Sequence, residues 1–185
     1  MTTDFSGPDR VFAFADSLGI SDEEAPVIEE TTIPWVVFML TGEWYALPVD
    51  AVQEIIRVGE ITRVPDAPSV VRGVVNLRGR VLPVVDLRVR LGLPAAEPDK
   101  NTRIVVLPTR GRWIGVLVDA VKRIERFRPS DVRPVPSDVL SERSDYFRGV
   151  VQKDDRLVVL LDAEHVLLVH EGEMTNMNQI RVTEQ

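Results

Sequence analysis

The sequence predicts an all-β protein built as two small barrels packed together, and three observations predict it. Short β-prone runs follow one another at close spacing, with turn residues between them. The body of the chain is written twice. Many of the runs are apolar at consecutive positions, as in Leu157-Val158-Val159-Leu160-Leu161, which implies strands covered on both faces.

The duplication comes first because self-similarity governs every later reading. Gly42-Glu43-Trp44-Tyr45-Ala46-Leu47-Pro48-Val49-Asp50-Ala51-Val52 returns as Gly111-Arg112-Trp113-Ile114-Gly115-Val116-Leu117-Val118-Asp119-Ala120-Val121. Arg72-Gly73-Val74-Val75, running on to Arg80 through Asp86, returns as Arg148-Gly149-Val150-Val151, running on to Arg156 through Asp162. Two copies are too few for a solenoid and suit a pseudo-twofold pair. The pattern also allows strands to be exchanged between the copies. The copies diverge most where Asn76-Leu77-Arg78-Gly79 becomes Gln152-Lys153-Asp154-Asp155, so a site carried by one half belongs near that difference.

In chain order, residues 1–34 read as an acidic tail with several Gly and Pro. Val11, Phe14, Ala15 and Leu18 fall at helical spacing, so a docking helix stands there as an alternative to a disordered tether. The body runs from 35 to 169, with repeat halves of about 35–93 and 103–169. Val36 to Leu40 is a strand, Thr41 to Glu43 a turn, and Trp44 to Leu47 the returning strand. Asp50 to Glu54 fits a brief helical turn before Ile55-Ile56 extends again. Arg72 to Leu77 and Arg80 to Val85 form a hairpin closed at Arg78-Gly79. Asp86 is placed to cap a short helix that Gly92 ends. After the polar connector 94–102 the programme repeats. Arg103 to Leu107 and Trp113 to Val118 are strands, and a stretch broken by Pro129, Pro134 and Pro136 follows. Phe147 to Val151 and Arg156 to Leu161 make the last hairpin, and Asp162 caps a helix over Ala163 to Val169. Residues 170–185 read as a flexible C-terminal tail. Trp44 and Trp113 are the expected core anchors of the two barrels, and Trp35 is expected to cover an edge.

Composition narrows the function. At 185 residues with 44% apolar content the chain can bury a core, yet no apolar run reaches the roughly 18 residues that span a membrane. There is no basic start followed by an apolar stretch, so no secretory signal is visible and a cytoplasmic location is expected. The absence of cysteine removes disulfides, thiolate catalysis and cysteine metal sites together. The net charge of -7 resides entirely in residues 1–34, where acids face Arg10 alone. The rest is balanced and interleaved, which argues against a nucleic-acid face and suits a protein that meets other proteins. His165 and His170 form no nucleophile–base or metal constellation, and no glycine loop is shaped for phosphates, so neither an enzyme nor a cofactor or metal is expected.

The ordered motifs Gly42-x-x-Tyr45-Ala46-Leu47-Pro48, Val52-Gln53-Glu54-Ile55-Ile56, Arg72-Gly73-Val74-Val75-Asn76-Leu77-Arg78-Gly79-Arg80-Val81-Leu82-Pro83-Val84-Val85-Asp86 and Gly115-Val116-Leu117-Val118-Asp119 resemble the CheW family of chemotaxis coupling proteins. The resemblance covers about residues 35–169. It implies two SH3-like five-stranded barrels around a shared apolar centre. It implies an adaptor without enzymatic activity, recruited to membrane-associated receptor arrays. The implied partners are the cytoplasmic tip of a methyl-accepting chemoreceptor, the regulatory domain of a CheA-type histidine kinase, and other CheW-like domains in rings, with no nucleic acid and no membrane insertion. The alternative is a CheW-like interaction module of another chemosensory-type pathway, such as pilus motility or development.

On that resemblance the receptor-binding residues are Arg78, Glu54, Val52, Gly73, Leu77 and Gly79, and the kinase-binding residues are Val37, Met39, Tyr45, Arg133, Val135 and Val139. The kinase surface is expected on an exposed edge that includes the Val36 to Leu47 hairpin. Arg78 stands out because the second copy has Asp154 there, and Glu54 is its natural partner because the second copy has Arg123. Gly73 and Gly149 recur in both halves, which favours close backbone approach or a bulge. Asp50 and Asp119 also recur, which favours a turn or cap.

Overall fold

The computed structural model describes residues 31–136 and 144–167. The acidic tail up to residue 30, the Val11 to Leu18 helix, Val139 and the 170–185 tail lie outside them, while Ile33 and Pro34, read as tail, open the first strand. The strands are β1 (Ile33–Leu40), β2 (Glu43–Pro48), β3 (Glu54–Arg57), β4 (Val71–Leu77), β5 (Arg80–Asp86), β6 (Arg103–Thr109), β7 (Arg112–Val118), β8 (Ala120–Phe127), β9 (Phe147–Lys153) and β10 (Arg156–Leu161). Two short helices accompany them, α1 (Leu87–Leu91) and α2 (Ala163–Leu167).

The strands form two five-stranded sheets, ordered β8-β1-β2-β10-β9 and β3-β6-β7-β5-β4. We call these the first and second barrel. Neither follows the repeat boundary. The β1–β2 hairpin of the first half joins β8, β9 and β10, and the β6–β7 hairpin of the second half joins β3, β4 and β5. The exchanged hairpins dock by parallel pairing, β2 on β10 and β7 on β5, while the other pairings are antiparallel.

Each barrel closes by the same device. Thr62, just beyond β3, exchanges hydrogen bonds of 2.9 and 2.8 Å with Val74 on β4. Arg133, beyond β8, exchanges bonds of 2.9 and 2.8 Å with Val150 on β9. The recurring glycines make room for this contact. A Cβ on Gly73 would stand 2.3 Å from the Thr62 carbonyl oxygen, and one on Gly149 would stand 2.6 Å from that of Arg133.

Three apolar clusters result. Trp35, Val37, Ala46, Phe127, Val151, Val158 and Leu160 fill the first barrel. Val75, Leu82, Val84, Ile104, Val106 and Leu117 fill the second. The largest lies between them and includes Phe38, Leu47, Val85, Leu87, Val105, Val116, Leu161 and Val166. Arg90 on α1 donates from Nε to the Val166 carbonyl on α2 at 2.9 Å, which ties the two helices together across the halves.

Several expectations change. Trp35 is buried in the first barrel's core and covers no edge. Trp44 and Trp113 are half-buried flanks of their cores, each covered by a cation. The Arg156 guanidinium lies 4.6 Å from the Trp44 ring, and that of Arg80 lies 5.1 Å from the Trp113 ring. The β1–β2 hairpin is no exposed edge, because β1 pairs with β8 and β2 with β10. Strand β8 was not foreseen. Lys122, Arg123, Glu125 and Arg126 hide its period, and it stands at the end of its sheet, paired with β1 from the other half of the repeat. Leu157 on β10 is 56% exposed, so that run is not covered on both faces. Asp86 does cap α1, accepting from the Arg88 N–H at 3.1 Å, and Gly92 ends the helix in the left-handed region at φ 77°.

Candidate functional site

All four described two-residue hairpin turns carry positive φ at both central positions, which matches the right-handed twist of the flanking strands. In the β4–β5 turn these residues are Arg78 and Gly79, at φ 53° and 80°. The Asn76 Oδ1 accepts from the Gly79 N–H at 2.8 Å and holds the turn. Arg78 thereby points back over the barrel, and its Nη2 donates to the Glu54 Oε2 at 2.9 Å. Glu54 is placed there because the Gln53 N–H donates to the Val106 carbonyl at 2.8 Å, locking the start of β3 onto β6. The pair is unequal. The Arg78 side chain is 73% exposed and that of Glu54 only 19%, so the cation is displayed and the acid anchors it.

Beside this pair lies a cleft of about 530 Å³. Ile56, Val75, Leu77 and Ile104 supply its apolar floor, and Arg57, Glu60 and Asn76 supply polar lining. The arrangement is a recess of mixed polar and apolar lining with a displayed guanidinium nearby, suited to a protein surface that offers both apolar and acidic groups.

The first barrel differs at the equivalent positions. Where the second barrel has Glu54, Ile56, Leu77 and Arg78, the first has Arg123, Glu125, Lys153 and Asp154. Glu125 is 6% exposed and bonded to Arg123, with Lys153 Nζ at 3.3 Å and Arg156 Nη2 at 3.8 Å. Burial works against its charge, but Arg123 and Lys153 outweigh it and hold the carboxyl below the usual range. Lys153 lies 5.6 Å from the Phe127 ring. An ion cluster therefore stands where the second barrel has its recess. Glu125 was missed from the sequence, although an acid in place of Ile56 inside a repeated strand was the available signal.

The other expected site residues scatter. Val52 is half-buried against the shared core, Leu77 lines the cleft, and Gly73 is buried beneath Thr62. Val37 is fully buried in the first barrel and presents no surface. Tyr45 is 6% exposed and donates its hydroxyl to Glu43 at 3.0 Å; burial and that carboxylate raise its pKa. Met39 is half-buried opposite Trp44 and Ala120. Arg133 is exposed at the closing bridge, with half-buried Val135 close behind it. The Arg78–Glu54 pair and Leu77 thus meet in one place, and the expected kinase contacts do not. Among the described residues no group of His, Cys, Asp and Glu is arranged to hold a metal, and no helix is long and apolar enough to cross a membrane.

Two five-stranded barrels that exchange hairpins define the class of fold. The chain belongs to the CheW-like domain family, whose model matches residues 34–170. It is 35% identical over 138 residues to the chemotaxis protein CheW of Helicobacter pylori, covering 75% of this chain and 83% of that one. The crystal structure of the scaffolding protein TtCheW from Thermoanaerobacter tengcongensis superposes with a TM-score of 0.71 at 27% identity, covering 83% of this chain and 99% of that one. A more distant likeness joins it to the protein PilI of Pseudomonas aeruginosa, 27% identical over 157 residues, covering 80% of this chain and 83% of that one.

Proposed function

We propose that the chain is a chemotaxis adaptor that couples the cytoplasmic tip of a methyl-accepting chemoreceptor to the regulatory domain of a CheA-type histidine kinase. In this reading it works in the cytoplasm, within receptor arrays at the membrane, and catalyses nothing itself. Family membership supports the adaptor role. The observation that carries the choice of surface is the one-sided Arg78–Glu54 pair beside the cleft with its apolar floor, which its duplicate replaces by an ion cluster. On this reading the receptor engages Arg78 and Leu77. The kinase engages a separate surface that includes Arg133 and Val135, to which buried Val37 and Tyr45 contribute no contact.

Sedimentation with the purified kinase regulatory domain and with a receptor tip, separately and together, tests the proposal. A ternary species at micromolar concentrations supports it. Binding to neither partner at tens of micromolar overturns it. The likeness to PilI gives weight to the same adaptor role in a pilus-linked chemosensory pathway, which partners from such a system would reveal.

A further inference from the structure

Strands β5 and β7 are parallel neighbours, so both begin at the same end of the second barrel. The turns that precede them, Arg78-Gly79 and Arg110-Gly111, therefore lie side by side there. Arg80 and Arg112 follow at once, so two adjacent turns carry four arginines. Neighbouring like charges are destabilising, so the cluster has a cost that an anionic partner would offset.

At this end Pro108 and Trp113 stand opposite each other on β6 and β7. Pro108 is exposed and Trp113 half-buried, so together they offer an apolar ledge. The Arg80 guanidinium lies 5.1 Å from the Trp113 ring, and a cation stacked in this way keeps its N–H edges for a carboxylate. Arg80 and Arg110 are exposed, and among the described residues neither has a carboxylate partner, whereas Arg78 has Glu54 at 2.9 Å. The equivalent end of the first barrel, where β2 and β10 are the parallel neighbours, lacks this display. Thr41, Glu43 and Asp154 stand there in place of Arg110, Arg112 and Arg78. Arg156, the counterpart of Arg80, also lies over a tryptophan, but Asp154 and Glu125 stand 3.3 and 3.8 Å from it. Both barrels therefore carry a ring-stacked arginine at this end, and only the second barrel leaves it without an acid.

We propose that this end of the second barrel binds an acidic polypeptide segment of a partner protein, with carboxylates on Arg80 and Arg110 and an apolar side chain on the Trp113–Pro108 ledge. Charge complementarity names the ligand, because a guanidinium without an acid takes a carboxylate in a bidentate, charge-assisted pair. Glu54 narrows the choice. Its carboxylate belongs to the same end and repels a continuous run of phosphates, while separated carboxylates can settle on Arg80 and Arg110 away from it. The rest of the body has interleaved charge and no one-signed face, so a peptide fits better than a nucleic acid or an anionic membrane. The inference goes beyond the receptor reading, since Arg80, Arg110 and Trp113 have no part in that reading and the ligand is named by its chemistry, whichever protein carries it.

The probe is the peptide acetyl-Glu-Leu-Asp-Glu-Leu-Asp-amide, titrated into the isotope-labelled full chain and followed by nuclear magnetic resonance. The indole N–H signals of Trp113 and Trp44 report the two equivalent barrel ends within one spectrum. The Trp113 signal should shift saturably at about millimolar peptide, and the Trp44 signal should stay in place. Raising the salt from about 50 to about 500 mM should weaken the binding. Arg80→Gln and Arg110→Gln replace exposed side chains, so the rest of the spectrum should persist, and the two together should weaken binding at least about fivefold. A peptide with lysine at every acidic position should move neither signal. None of these readings involves a receptor or a kinase, so they stand apart from the test of the adaptor role. The proposal is overturned if Trp113 does not shift, if Trp44 shifts equally, or if the double variant binds within about twofold of the parent. Tighter binding of this end to single-stranded DNA or to vesicles of anionic lipid than to the peptide overturns it as well.

Discussion

Gly73→Ala probes how the second barrel is closed. The added methyl carbon would stand 2.3 Å from the Thr62 carbonyl oxygen and 2.7 Å from the Ile61 Cγ2. The nearest obstacle is backbone, so relief means moving residues 61–62 away from β4. That movement breaks the paired bonds between Thr62 and Val74, at about 0.5–1.5 kcal/mol each. The positive φ of 149° adds about 1–2 kcal/mol for an L side chain. The expected loss is about 2–5 kcal/mol, a large fraction of the stability of a domain this size. Gly79→Ala is the control. It also has positive φ, at 80°, but its methyl meets nothing within 4 Å, so its cost is about 1 kcal/mol. Urea denaturation midpoints at constant slope measure both. If Gly73→Ala costs no more than Gly79→Ala, the close approach of Thr62 is not what requires glycine, and the closure argument fails.

Three further outcomes follow from the same geometry. Arg78→Ala should cost only about 0–1 kcal/mol, because the Arg78 side chain is 73% exposed, and chemical denaturation will read it. Asp155→Gly in the β9–β10 turn should stabilise by about 1 kcal/mol and raise Tm by a few degrees, since Asp155 holds φ 58° where the other three turns have glycine. Burial opposes the Asp162 charge, yet the His165 N–H, the His165 ring and Arg148 hold its pKa down at about 2. The folded value lies below the unfolded one, so this contribution is complete above about pH 4 and is lost as pH falls through 2. Discounted for solvent screening it amounts to about 1–2 kcal/mol, and Asp162→Asn should flatten that part of the acid-stability curve.

Much of this was legible because the chain states its own repeat. The duplication located the hairpins, the capping aspartates and the one turn whose chemistry differs. Arg78 and Glu54, 24 residues apart, were paired from that difference and meet at 2.9 Å. What stayed hidden depends on partners remote in sequence. Pairing of β2 with β10 buries Tyr45 and removes the expected hairpin edge, and no local pattern announces a parallel contact of that range. Strand β8 is crowded with charge, and its inward Glu125 is accommodated only by an ion cluster that includes Arg123 and Lys153. The bond from buried Arg88 to Asp119 at 3.0 Å was missed for the same reason: Asp119 reaches it only once the exchanged hairpin β6–β7 is in place.

Receptor-controlled kinase activity, reconstituted with Arg78→Glu and, separately, Lys153→Glu, tests the adaptor account most directly. Arg78→Glu reverses a displayed cation beside the cleft and sets it against Glu54, so coupling should fall by at least about tenfold while the fold persists. Lys153→Glu alters the equivalent region of the first barrel, where Arg123 and Arg156 still accompany Glu125, and should leave coupling within about twofold. Unchanged coupling in Arg78→Glu together with its loss in Lys153→Glu would contradict the account and move the working surface to the first barrel.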